Sequence, residues 1–251
     1  FTNLHSFDGY PGDGASPWGG LMLSGNTLYG TTTRTVFAVN TNGTGFTNLH
    51  TFDTTSPWAG LVLSGKTVYG TTADTVFAVN TDGSAFTNLH VFSASSTNAS
   101  GAYTNSEGLY PRSVLIISGN TLYGTADAGG IWGDGTVFKV NTAGTSFTNL
   151  HSFTGDSDGA MPFGGLILSG ETLYGTATYG GSSGYGYGTV FALNTNGTGF
   201  NNLHHFNGGD EAFPYAGLVL SGNTLYGTTS GNWIDFGMVF SLSFTPQLTI
   251  T

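Results

Sequence analysis

The chain has 251 residues, of which 7% are charged, and its 14 acidic against 4 basic side chains leave a net charge of −10. Four basic residues cannot form the clustered cationic surface that phosphate recognition needs, which disfavours a nucleic-acid partner. No apolar run approaches the roughly 18 residues that insert into a membrane, no segment reads as a signal peptide, and cysteine is absent.

Taken in order, Phe1-Thr-Asn-Leu-His-Ser-Phe7 reads as a strand, and its pattern returns at residues 46–52, 86–92, 147–153 and 200–206. Residues 20–31 follow and recur at 60–71, 114–125, 165–176 and 217–228. In the second copy, Leu61-Val-Leu63 is a short apolar run suited to a strand buried on both faces. Ser64-Gly65-Lys66-Thr67 places Gly before a polar residue, the signature of a two-residue type II′ hairpin. Thr67–Thr71 returns as the second strand and Thr75–Val79 supplies the third. The third ends in Asn80-Thr-Asp-Gly83, a turn that reads Asn-Gly at Asn42-Gly43 and Asn196-Gly197. Phe86–Phe92 is the fourth strand. The 42 glycines thus fall in turns and loops between apolar strands, which argues against a low-complexity chain.

One unit is a four-stranded antiparallel meander, 40 residues long in its shortest copy, Phe46 to Ala85. A period of about 40–50 residues with four strands per repeat is the propeller signature. A solenoid would need atypical capping repeats, and none is visible. The expected fold is therefore all-β: one domain over residues 1–251, a five-bladed β-propeller with blades near 20–52, 60–92, 114–153, 165–206 and 217–244. The fifth copy stops after Met238–Leu242 without a Phe-Thr-Asn-Leu-His strand. Residues 1–7 are expected to supply that strand to the last blade and close the ring, leaving a monomer.

In such a meander every second connection lies at the same end of the blade. The Ser-Gly-x-Thr and Asn-Thr-x-Gly turns share one end and barely change; the connections at the other end vary widely. Twelve of the 14 acids and all four tryptophans lie in the variable connections, with Arg34 and Arg112 as the basic residues there. Rigid scaffolds carry function on loops, so a site is expected on this face; the plainer alternative is that loops hold solubilising acids.

Each inner strand starts with a Pro-aromatic pair: Pro17-Trp18, Pro57-Trp58, Pro162-Phe163 and Pro214-Tyr215, with Pro111-Arg112 in the third copy. Inner strands line the axis, so these side chains should ring the mouth of the central channel. Aromatic platforms beside Asp and Asn are what sugar recognition requires, because ring faces stack and hydroxyls need polar partners. Packing between blades is the plainer alternative. Trp132, Tyr185, Tyr187 and Trp233, in the long loops of blades three to five, extend the candidate surface to one side. Asp156 and Asp158 offer a weak Ca²⁺ pair, far short of the roughly 6–8 oxygens a site needs. His5, His50, His90, His151 and His204 occupy one repeated strand position, which argues for a structural hydrogen bond over metal binding or catalysis. A glycoside hydrolase would need two carboxylates about 5–9 Å apart. The inner strands carry none, so Asp210 or Glu211 with Asp156 or Asp134 would have to serve. No cofactor is implied.

The runs Leu-Ser-Gly-Asn-Thr-Leu-Tyr-Gly-Thr, Gly-Thr-Val-Phe-Ala-Leu-Asn-Thr-Asn-Gly-Thr-Gly-Phe and Asn-Leu-His-x-Phe resemble the GloVer-type tandem repeats of bacterial "choice-of-anchor" surface proteins. The resemblance covers residues 1–245 and all five copies. It implies export and surface anchoring, in keeping with a composition poor in charge and rich in Thr, Asn, Gly and Tyr. It supplies no catalytic residues. Residues 245–251 look like the lead-in to a following domain, while the short loops of blades one and two and Arg112 depart from the usual repeat. The sequence thus points to a non-catalytic binding or display module, with a glycan the preferred ligand and a protein partner next. A structural spacer is the bland alternative.

Overall fold

A computed structural model of the chain describes residues 1–181, 186–207, 209, 212–231 and 236–244. Its strands follow the repeat. Blade one is β1 (Met22–Ser24), β2 (Thr27–Thr31), β3 (Thr35–Asn40) and β4 (Thr47–Thr51); blade two is β5 (Val62–Ser64), β6 (Thr67–Thr71), β7 (Thr75–Asn80) and β8 (Thr87–Val91). A small hairpin, β9 (Ser96–Thr97) and β10 (Tyr103–Thr104), sits in the long connection to blade three, where the sequence suggested only a loop. Blade three is β11 (Ile116–Ser118), β12 (Thr121–Ala126), β13 (Thr136–Asn141) and β14 (Phe147–Ser152). Blade four is β15 (Ile167–Ser169), β16 (Thr172–Ala177), β17 (Thr189–Asn194) and β18 (Asn201–His205). Blade five has three strands, β19 (Val219–Ser221), β20 (Thr224–Thr228) and β21 (Val239–Ser243).

Each sheet is an antiparallel meander in sequence order. The first hairpin of blade two pairs Ser64 with Thr67, and only Gly65 of its two loop residues takes a positive φ, +61°. That is the type II′ pattern. The Asn-Gly turns are longer: Gly43, at φ +84°, donates its N–H to Asn40 O at 2.8 Å, and Asn40 N–H reaches Thr44 O at 2.9 Å. Each outer strand carries a register shift opposite the start of the third strand, as between Val36 and Phe37. Such a bulge increases the local twist.

The apolar core lies between blades rather than within one. Tyr29, Val36, Leu49 and Phe52 of blade one meet Leu61, Val68, Phe77 and Val79 of blade two in one buried cluster, and three equivalent clusters join the later blades. At the rim, the seam between blades one and two holds a box of four rings. Phe86 stacks on His50 at 3.4 Å, lies 5.9 Å from Phe77 and stands edge-on to Phe52 at 5.7 Å, while Phe52 and Phe77 meet at 5.2 Å. Phe147 and Phe200 occupy the same place at the next two seams, over His90 and His151.

Closure by residues 1–7 is not what the structure shows. These residues are outside any sheet, no fourth strand pairs with β21 among the described residues, and the ring is not closed. The segment lies against blade one as β4 lies against blade two: His5 stacks on Phe46 at 3.6 Å and Phe7 stands edge-on to Phe37 at 5.2 Å. Packing of side chains across a seam and backbone pairing along an edge are separate interactions, and only the first is made. The two flanks of the arc are bare in consequence. Leu21 is 58% exposed where Leu61 is 5%, and Val239 is 79% exposed where Val36 is fully buried. Where five complete blades are expected, the described residues form four four-stranded blades and one of three strands.

Candidate functional site

The five inner strands converge at one end of the arc, and backbone contact sets their spacing. A Cβ on Gly19 would lie 2.6 Å from Ala59 O, and one on Gly164 would lie 2.8 Å from Ala216 O. Second-strand threonines tie the same points together: the Oγ1 groups of Thr31, Thr125 and Thr176 donate to the carbonyls of Ala59, Gly164 and Ala216 in the following blades, at 3.0, 3.2 and 3.1 Å.

This end opens into a cavity of about 440 Å³ walled by Trp18, Trp58, Arg112, Phe163 and Tyr215, one side chain from each blade, over a floor of glycines. Trp18 and Trp58 are tilted to one another at 6.4 Å, as are Phe163 and Tyr215 at 5.6 Å. Trp18, Trp58 and Tyr215 remain exposed. The backbone at this rim is unusual. Ser16, Tyr110, Met161 and Phe213, each just before the proline, have φ between +50° and +64°. Non-glycine residues held in this left-handed region store strain, which clusters at functional positions.

Two further groups belong to the rim. Arg112 lies over the ring of Tyr110 at 4.7 Å and over that of Trp58 at 5.4 Å, and its Nη1 is 3.3 Å from Oδ2 of buried Asp127. That contact is an ion pair without hydrogen-bond alignment. Burial pushes the Asp127 carboxyl up to about 6, with Arg112 opposing. Neither Tyr110 nor Asp127 was singled out in the sequence. Their signal was available, since Arg112 and Asp127 are departures of opposite charge from the repeat within one blade. The second group is a hydroxyl pair, Tyr179 with Tyr215 at 2.6 Å; that hydrogen bond, more than burial, pushes Tyr215 up to about 12.

The other candidate residues lie elsewhere. Trp132 is exposed and does not line the cavity. Tyr187 packs against Phe213 at 6.2 Å and joins the seam between blades four and five. Tyr185 and Trp233 lie outside the described residues, as do Asp210 and Glu211. Asp156 is exposed, and Asp158 is engaged by His151 Nε2 at 2.9 Å and by the Thr154 N–H at 3.0 Å. Burial raises the Asp158 carboxyl, but these hydrogen bonds outweigh it and hold the group below the usual range. Among the described residues no three His, Asp or Glu side chains gather in a metal-binding group. The repeated histidines serve the seams: besides stacking, His5 pairs with Asp13 and His90 Nε2 lies 3.4 Å from Glu107.

Fold and site together define a repeat β-propeller-like domain with a cavity at the axis. The chain belongs to the Gloeobacter/Verrucomicrobia repeat family, whose profile matches residues 95–251. Among curated proteins none matches it in sequence. Solved structures of similar fold include the nidogen/laminin complex, with TM-score 0.53 and 18% identity over 81% of this chain and 68% of that one. A gluconolactonase from Xanthomonas campestris gives 0.53 and 15%, over 92% of this chain and 77% of that one. The extracellular domain of a two-component system from B. thetaiotaomicron gives 0.56 and 10%, over 96% of this chain but 29% of that one. At these identities the likeness is one of fold. No helix among the described residues is long and apolar enough to cross a membrane.

Proposed function

We propose that this is a five-bladed, non-catalytic binding module of a secreted or surface bacterial protein, and that its axial cavity takes a saccharide. The observation that carries the reading is the convergence of one aromatic or guanidinium side chain per blade on a single cavity. Exposed, tilted tryptophans offer ring faces for the C–H faces of a sugar, and Arg112 and the Tyr179–Tyr215 pair supply hydroxyl partners. A glycan-array screen tests it, followed by titration of intrinsic tryptophan fluorescence with any hit. Loss of binding on Trp58→Ala, with the fold intact, supports the reading; a blank array and a silent titration overturn it.

A protein partner is the second reading. The similar folds include the nidogen/laminin complex and the extracellular domain of a two-component system, so propellers of this shape serve in protein assemblies and outside the cell. The gluconolactonase neighbour raises catalysis as a third, which turnover of a sugar lactone by the purified domain would establish.

A further inference from the structure

The axial cavity breaks its own pattern at one place. Four blades present an aromatic ring after the proline, and the third presents Arg112, the one charged side chain among the described residues that wall the cavity. Tyr110 and Trp58 hold the guanidinium over their rings at 4.7 and 5.4 Å. Rings attract the charge but take up none of its N–H donors as conventional hydrogen bonds. On the buried side stands Asp127, at the position that Thr178 has in blade four, where the Thr178 Oγ1 donates to Pro214 O at 3.1 Å. Asp127 Oδ2 lies 3.3 Å from Arg112 Nη1 without an aligned hydrogen bond, and among the described residues the guanidinium donates to no other group. The wall of the cavity thus holds a positioned fork of N–H groups with nothing to accept them.

We propose that the cavity takes a glycan bearing a uronic acid, with the sugar carboxylate received by Arg112 and the sugar ring by the aromatic walls. The proposal rests on the saccharide reading above and names the class of saccharide. A neutral sugar needs ring faces and hydroxyl partners, and a guanidinium offers it little that a tyrosine would not. A carboxylate presents two coplanar oxygens that match the guanidinium fork bidentately. No acid competes from the wall, whose other described residues are aromatic, aliphatic, glycine or serine. The nearby carboxylate of Asp127 neutralises Arg112 poorly, because burial pushes that group up to about 6 against the pull of Arg112. Partial neutralisation keeps the guanidinium in place and leaves positive charge facing the cavity. Trp18 and Trp58 come from the two blades before Arg112, and Phe163 and Tyr215 from the two after it. A sugar anchored there by its carboxylate has ring faces on either side. The net negative charge of the chain disfavours a dense polyanion, yet at physiological salt it is screened beyond about 8 Å and leaves a single buried carboxylate unopposed.

The test is titration calorimetry of the chain with disaccharides containing glucuronate, galacturonate or mannuronate. Each is compared with its carboxyl-reduced counterpart, in which the carboxylate has become a hydroxymethyl group. At least one uronate should bind about tenfold more tightly than its reduced partner, the margin of one charge-assisted bidentate pair. Arg112→Gln combined with Asp127→Asn removes both charges together, so that no buried carboxylate is left unpaired. That double variant, folded as the parent by its melting curve, should bind both members of the pair alike. Equal binding of uronate and reduced sugar by the parent overturns this inference and leaves the saccharide reading intact. No binding of any sugar sinks that reading and this one with it. A uronate preference that survives in the double variant overturns the assignment to Arg112, and a glutamate-rich peptide that binds as tightly as the best uronate overturns the sugar.

Discussion

The imidazole of His50 lies flat on the ring of Phe86, 3.4 Å between centroids and 1° between planes, so that a side chain of one blade forms the wall of the next. Burial lowers the His50 pKa, with Asp53 opposing. A histidine whose folded pKa lies below its unfolded value is stabilising when neutral. That stability is present above the unfolded pKa of about 6.5 and is lost as pH falls through it. His50→Phe keeps the stack and removes the titration. Its stability relative to the parent should therefore rise as pH falls from 7 to 5 in chemical denaturation, whereas a parallel pair of curves would refute the assignment. His50→Ala, which removes the stacked ring, should cost about 1–3 kcal/mol at neutral pH.

Phe86→Ala empties one place of the four-ring box at the seam between blades one and two. With three rings left around an empty fourth place, the cost should be about 3–5 kcal/mol. Thermal unfolding measures it. A loss below about 1 kcal/mol would mean that the box collapses freely.

Gly70 sits in β6 beneath the ring of Phe77, and a Cβ there would fall 2.6 Å from Phe77 Cζ and 2.8 Å from Leu61 Cδ2. Both neighbours are buried and cannot swing away. Gly70→Ala should destabilise by about 1–3 kcal/mol through overpacking. Gly20→Ala, whose Cβ would meet nothing within 4 Å, serves as the control and should be near neutral. Equal effects of the two would dismiss the steric account.

Asp127 carries the opposite pH signature to His50. Its folded pKa, about 6, lies above the ordinary carboxylate value of 3.8. The folded state therefore binds more protons between these values, and the contribution to stability falls as pH rises through that window. Asp127→Asn cannot ionise. It should gain stability relative to the parent from pH 4 to pH 6, by about 1–3 kcal/mol in all. Denaturant titrations at the two pH values read this directly. A relative loss over the window would mean that the ion pair with Arg112 outweighs the burial of the carboxylate.

Much of the architecture was written locally. Ser-Gly-x-Thr placed the first hairpin of every blade, because only Gly takes the positive φ of a type II′ turn without strain. The Pro-aromatic pairs were legible as rim residues from their place at the start of the inner strands. Tyr187 was read among the candidate ligand residues because an aromatic in a glycine-rich loop looks exposed; in the fold it packs against Phe213 and joins the seam between blades four and five. Asp127 was passed over for the converse reason. An acid in a loop looks exposed, and no local pattern encodes the burial it has beside Arg112.

By itself, the sequence determined the strands, their order and pairing within a blade, and the position from which each blade contributes to the axis. These follow from alternation, turn chemistry and repetition over 40 or so residues. Only the tertiary structure decided how the blades add up. It left the ring open, with residues 1–7 seated on blade one through the His5–Phe46 and Phe7–Phe37 contacts. The physical reason is that closure depends on the small rotation between successive blades, accumulated over five seams, and every seam has the same sequence whether or not the sum comes back to its start.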